Sequence, residues 1–304
     1  VTGVQTCALP ISTDRDALVV HAIRLPRIAA CVLIGASLAV SGVLMQGLFR
    51  NPLADPGVLG VSSGAALAAA TVIVCGDRLF GRLPFEALPV AAFVGAVLAT
   101  LVLVVAGSRS GRLDTGIVLL AGIAFAALAN AALGLLVYVA DDRQLRDLSF
   151  WTLGSFGGVG WERVFVAGPL LAVPLVVAPF LARALDALAC GEAEAHHMGF
   201  RVERVKALAV VATAVGVGAA VATVGVVGFV GMIVPHLVRI ALGPGHRVLL
   251  PTSALAGALL VLAADLGART LVAPAELPIG ILTALVGAPT FLHLVIRRRN
   301  GGLS

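Results

Sequence analysis

Lysine occurs once in this 304-residue sequence, at Lys206, and Ala207 follows it. That excludes a nucleotide-binding P-loop, because G-x-x-x-x-G-K-[ST] needs a lysine followed by a hydroxyl residue. A dinucleotide fold has no better footing: Gly216-Val217-Gly218 lacks a third glycine in place and lies in an apolar run. Charge of either sign is scarce, at 12% of residues, where an ordinary soluble domain carries about a quarter. The cysteines at 7, 31, 75 and 190 stand alone, so neither a zinc ribbon nor a C-x-x-C redox motif is supported; three of them sit in or beside apolar runs and read as small apolar fillers. No H-E-x-x-H is present. His196 and His197 are adjacent and would point about 100° apart on a helix, a poor metal clamp. No G-x-S-x-G elbow is present either. The residues therefore point to no catalytic centre, no metal site and no cofactor.

What the sequence has instead is apolar length. Hydrophobic residues make up 60% of it, and its mean hydropathy is +1.06. One water-soluble core has no room for that surface, which places the chain in a bilayer. Charge-poor runs cover 28–49, 57–76, 87–108, 115–140, 164–182, 207–235, 248–264 and 277–296. A spanning helix needs about 20 such residues, and most of the runs suffice. The run 207–235 is too long for one helix and predicts a full span and a bend, followed by a short broken span at about 229–242 whose helix ends at Arg239. Pro169, Pro174 and Pro179 predict a kinked helix over 164–182. The runs do not alternate polar with apolar, which argues against a β-barrel. The expected class is all-α, polytopic, one membrane domain over 13–304. Residues 1–12 lack the charged start of a signal peptide and are too short to span; they read as a non-native start.

Basic residues set the orientation. With Arg297-Arg298-Arg299 in the cytoplasm, nine spans place Arg50, Arg109, Arg112, Arg183, Arg201, Arg204, Lys206, Arg239 and Arg247 there too. That is 12 of the 21 basic residues. Arg15, Arg24, Arg27, Arg78, Arg82, Arg143, Arg146, Arg163 and Arg269 fall outside, diluted by acids. The chain then starts outside, which requires a helix before it. The net charge of +5 fits cytoplasmic loops over anionic lipid better than nucleic acid. Arg24-x-x-Arg27 and Arg201-x-x-Arg204 each precede a long apolar run, and those runs end in Asn51-Pro52-Leu53 and Pro235-His236-Leu237. This is the pattern either of an inverted repeat or of chance likeness between two Ala/Val/Gly-rich helices.

Three polar stretches interrupt the spans. In 187–206 Gly191 can stop one helix, Glu192-Ala193-Glu194-Ala195 reads as a short helix, and Met198-Gly199 ends it. It is either a solvated linker or a docking knob for a cytosolic partner. The outer stretch 141–163 holds Trp151 and Trp161, aromatic anchors at the interface, with Gly154, Gly157, Gly158 and Gly160 that also suit a re-entrant or gating segment. In RNPLADPGVLGVSSG (50–64), Pro52 and Pro56 are expected bends, with Pro235 a third, and Gly60-x-x-x-Gly64 permits close helix packing.

At this point RLPRIAACVLIGASLAVSGVLMQGLFRNPLADPGVLGVSSGAAL (24–67), GFVGMIVPHLVRIALGPGHRVLLP (228–251) and AELPIGILTALVGAPTFLHLVIRRR (275–299) resemble one family. It is the FecCD-type permease subunit of type II ABC importers for iron chelates, haem and vitamin B12. The resemblance runs in order over about 20–300. It implies ten helices per subunit, with the first missing here. It further implies a homodimer of permeases, two cytosolic ABC ATPases, a periplasmic or lipoprotein substrate-binding protein, and a multi-pass location in the bacterial inner membrane. It implies that 187–206 carries the ATPase-coupling helices, with Gly191, Glu192, Ala193, His197, Met198 and Gly199 in the contact, which tips the reading from linker to docking knob.

The expected mechanism is alternating access at the dimer interface, with no covalent step. Arg24, Arg27 and Arg269 at the outer mouth are candidates to steer anionic cargo, or else interface anchors. LSFWTLGSFGGVGW (148–161) looks closest to haem and iron-chelate permeases, with vitamin B12 the alternative cargo. A secondary transporter coupled to an ion gradient would need an acidic group in the membrane, and Asp265 is the one good candidate.

Overall fold

The computed structural model describes residues 14–80, 86–109 and 112–301. Residues 1–12, read as a non-native start, lie outside the described residues. A short helix α1 (Asp14–Val19) leads through a widened π turn (Val20–Arg24) into α2 (Leu25–Leu48). Then come α3 (Val61–Phe80), α4 (Ala87–Gly107), α5 (Thr115–Val139), α6 (Asp142–Leu153), α7 (Trp161–Cys190) and α8 (Glu192–His197). The chain closes with α9 (Val202–Val224), α10 (Val230–Leu242), α11 (His246–Thr270) and α12 (Ile279–Gly301). The only strands among the described residues are β1 (Ser108–Arg109) and β2 (Arg112–Leu113), a two-rung antiparallel ribbon joining α4 to α5. Among the described residues, six helical segments are long and apolar enough to cross a membrane, and Val61–Gly76, Val230–Leu242 and Ile279–Leu292 are shorter apolar helices. Together they match the nine crossings counted from the sequence.

Local chemistry sets the helix ends. The Asp114 carboxylate accepts from the Gly116 and Ile117 N–H groups and so caps α5. Asp141 and Gln144 form a reciprocal capping box at the start of α6. Gly191 and Gly243 end α7 and α10 with positive φ, where a side chain is strained. Despite three internal prolines, α7 is one continuous helix over 30 residues.

The run 207–235 does break, but not at Pro235. The break is Gly225–Phe229, with φ of +78° at Gly225 and +68° at Phe229. Pro235 is the sixth residue of α10, and the helix continues past Arg239 to Leu242. The physical reason is that a proline deprives only one carbonyl of its donor, here Gly231, whereas two left-handed residues redirect the whole chain. Pro52 and Pro56 do sit in a turn, Pro56 opening a short 3₁₀ helix whose Asp55 cap accepts from Gly57 N–H at 2.7 Å.

Helices α2 and α9 form the centre. Of their best apolar windows 78% and 72% is buried within the chain, against 17% for α5. Close crossings surround α2. A Cβ on Gly35 would lie 2.4 Å from the Gly257 carbonyl oxygen of α11, and one on Gly42 would overlap the Gly231 carbonyl of α10. These glycines let backbones touch where lipid supplies no hydrophobic drive. Gly64 meets Gly95 of α4 in the same way, while Gly60 serves a left-handed turn.

Candidate functional site

The two ends of the bundle carry most of its polar chemistry. At the end expected to face outside, called the outer end below, Arg27 near the start of α2 is only 8% exposed. Its Nε donates to Asp265 Oδ1 at 2.9 Å, and Nη1 and Nη2 donate to the two Glu276 oxygens at 2.9 and 3.0 Å. Asp265, 3% exposed on α11, also faces Arg269 Nε at 3.2 Å one turn away. The three arginines expected at the outer mouth do come together: Arg24, Arg27 and Arg269, with Ile28 and Leu266, line a cavity of about 360 Å³. Their roles differ, however. Arg27 is committed to two carboxylates and joins α2, α11 and the 271–278 connection, whereas Arg24 is exposed and Arg269 about one-third exposed.

The stretch 141–163 folds back onto the outer end. Ser155 N–H donates to Val224 O at 2.8 Å and Ile279 N–H to Gly154 O at 3.0 Å, so one turn joins the ends of α6 and α9 to the start of α12. Gly225 is obligatory here, because a Cβ on it would lie 2.2 Å from Trp151 O. Trp161 Nε1 donates to His21 O at 2.8 Å, a polar edge anchored beside an apolar ring face.

At the opposite end, α8 is a one-and-a-half-turn helix set between Gly191 (φ +133°) and Gly199 (φ +89°). Only Ala195 is buried. Glu192, Ala193, Glu194, His196, His197, Met198 and Gly199 are all exposed, and Gly191 is half-buried. All six residues expected in the coupling contact thus cluster on one projecting element. Met198, 58% exposed, is an apolar tip in an otherwise charged stretch.

Three polar joints hold this end together, and none was foreseen from the sequence. Lys206, 2% exposed, donates to Leu113 O (2.9 Å), Glu192 Oε2 (2.9 Å) and Glu203 Oε1 (3.3 Å). Asp186 on α7 accepts from the His246 backbone N–H at 3.0 Å and meets its Nδ1 at 2.6 Å, which fastens α7 to α11. Gln46 bridges α2 and α10, donating to Met232 O at 2.9 Å and accepting from Arg239 at 2.7 Å. Arg239 therefore turns inward to a glutamine rather than reaching for the interface. The signals were present in part: a lone lysine, and a glutamine in the last turn of an apolar helix. Among the described residues no three His, Cys, Asp or Glu side chains converge as a metal set would.

The profile of the FecCD transport family matches residues 4–297. The chain is 49% identical over 277 residues to the hemin transport system permease protein HmuU of Yersinia pestis, covering 91% of this chain and 83% of that one. It is 42% identical over 287 residues to the vitamin B12 import system permease protein BtuC of Escherichia coli, covering 94% and 86%. Among solved structures it is similar to an inward-facing metal-chelate type ABC transporter, with a TM-score of 0.86, 32% identity, and 97% and 93% of the two chains covered.

Proposed function

The chain belongs to the FecCD transport family, and from that membership we propose how it works. It is a multi-pass permease of the bacterial inner membrane and of the metal-chelate ABC importer class. ATP is hydrolysed by two cytosolic ATPases docked on α8. Two copies of the permease enclose the path, and a substrate-binding protein delivers cargo to the outer end. The cargo is an iron chelate, haem in particular; the likeness to the haemin permease, 49% against 42% for the vitamin B12 permease, favours haem over the corrinoid. Arg24 and Arg269 supply positive potential for an anionic cargo. Arg27 holds the frame beneath them.

The observation that carries the reading is α8: a short polar helix, held by one buried alanine and two left-handed glycines, projecting from the lysine-bearing end. A solvated linker needs none of that geometry. The competing ion-coupled reading required a carboxylate free to bind a proton or cation in the membrane, and Asp265 is already held by Arg27 and Arg269. The test is uptake of haem into vesicles bearing the permease, its ATPase and its binding protein. Uptake that requires ATP and stops with vanadate supports the reading. Uptake that follows a proton gradient and ignores vanadate overturns it.

A further inference from the structure

The single lysine is in a place that calls for an explanation. Burying an ammonium is costly, and a well-packed apolar side chain usually does as well or better for stability. Lys206 is 2% exposed, and its three N–H groups meet three acceptors on three elements. Glu192 opens α8, Glu203 lies in the first turn of α9, and Leu113 ends the ribbon between α4 and α5. Glu203 closes a ring, because its other oxygen accepts from Leu113 N–H at 2.8 Å. Leu113 is thus gripped at both its N–H and its carbonyl. The next residue, Asp114, donates its N–H to Gly107 O at 3.0 Å and caps α5 through its side chain. A continuous line of short polar contacts runs from α8 through Lys206 to the first turn of α5.

We propose that Lys206 is a positioning residue that joins the ATPase-docking helix α8 to the α4–α5 ribbon, so that displacement of α8 reaches α5 directly. Without it, α8 reaches the ribbon only indirectly, by moving α9 and the Glu203–Leu113 hydrogen bond with it. Helix α5 packs on α3 and α4 and is the least buried of the long spans. The Lys206 joint therefore recruits a group of helices that the docking site does not touch. The inference rests on the reading of α8 as the ATPase contact.

The experiment uses the permease with its ATPase in nanodiscs, with the native cysteines replaced. Spin-label pairs are placed at two inner-end sites each: Ser108 with Arg247, which reads the ribbon against α11, and Arg201 with Arg247, which reads the α8–α9 corner against α11. In the parent, ATP shifts both distances. In Lys206→Met the Arg201–Arg247 shift persists and the Ser108–Arg247 shift falls to less than half, and substrate moved per ATP hydrolysed falls roughly tenfold. Lys206→Arg restores the ribbon shift. Glu192→Ala, which removes the α8 acceptor and leaves the Leu113–Lys206–Glu203 ring standing, gives the same split should the methionine variant fail to fold. Equal shifts at both pairs in Lys206→Met, or in Glu192→Ala where that is the variant that folds, overturn the inference. A parent in which ATP moves neither pair overturns the docking reading, and the inference with it.

Discussion

Arg27 and Asp265 meet 238 residues apart in the chain, at 2.9 Å, in a place where neither is wetted. Arg27→Ala leaves Asp265 with only Arg269 on its own helix. Removing one partner of a buried pair costs about 3–5 kcal/mol, so the variant should show a large loss of folded yield and melting temperature in detergent. Arg27→Lys should recover only part, because one ammonium cannot serve two carboxylates as a planar guanidinium does. Glu276→Gln should cost about 1 kcal/mol or less, since Glu276 is 42% exposed.

The glycine crossings around α2 predict sharp steric limits. Gly35→Ala drives a methyl into the Gly257 carbonyl, and overpacking of this kind costs about 1–3 kcal/mol. Gly134→Ala on α5 meets nothing within 4 Å and should leave the melting temperature unchanged. Equal effects at the two positions would show that α2 has room to slide.

Sidedness can be read with a native thiol. Cys190 is exposed immediately before α8, while Cys31 is buried. In a background with Cys7 and Cys75 replaced by serine, an impermeant thiol reagent should label inverted membrane vesicles and spare intact spheroplasts. The opposite pattern would place α8 on the wrong face for any cytosolic ATPase.

Asp186 caps α11 from outside the helix, accepting both its first N–H and its first side chain. Asp186→Ala strips both donors of their acceptor and should cost about 1–3 kcal/mol. The loss should be local, raising the labelling rate of a cysteine placed at Arg247 more than that of one placed at Arg24 on the far end.

Much of this architecture was legible because spans, caps and breaks are local. Apolar length marked the crossings, and Gly191 and Gly199 bounded α8 where a left-handed residue was needed. Even the overlong run 207–235 announced its break. The short span after it, expected at about 229–242, is α10; only the bend expected at Pro235 belongs instead to the Gly225–Phe229 turn, because proline is the louder signal. The joints were hidden for a different reason. Leu113 and Lys206 are 93 residues apart, and no periodicity records which helix ends will meet. Asp265 looked like a lone acid in the membrane until the fold brought Arg27 to it. Of the arginines grouped at the outer end, the sequence could not tell Arg27, locked between two carboxylates, from Arg269, partly exposed beside Asp265, or from the exposed Arg24.

The solitary buried lysine has a practical corollary. Reagents that acylate primary amines find no side-chain target on the folded chain, because its lone ε-amino group is 2% exposed and engaged on three sides. Acylation at position 206 would report only molecules whose inner end has come apart. The protein carries its own chemical tell-tale for that opening, readable by mass spectrometry without any engineered probe.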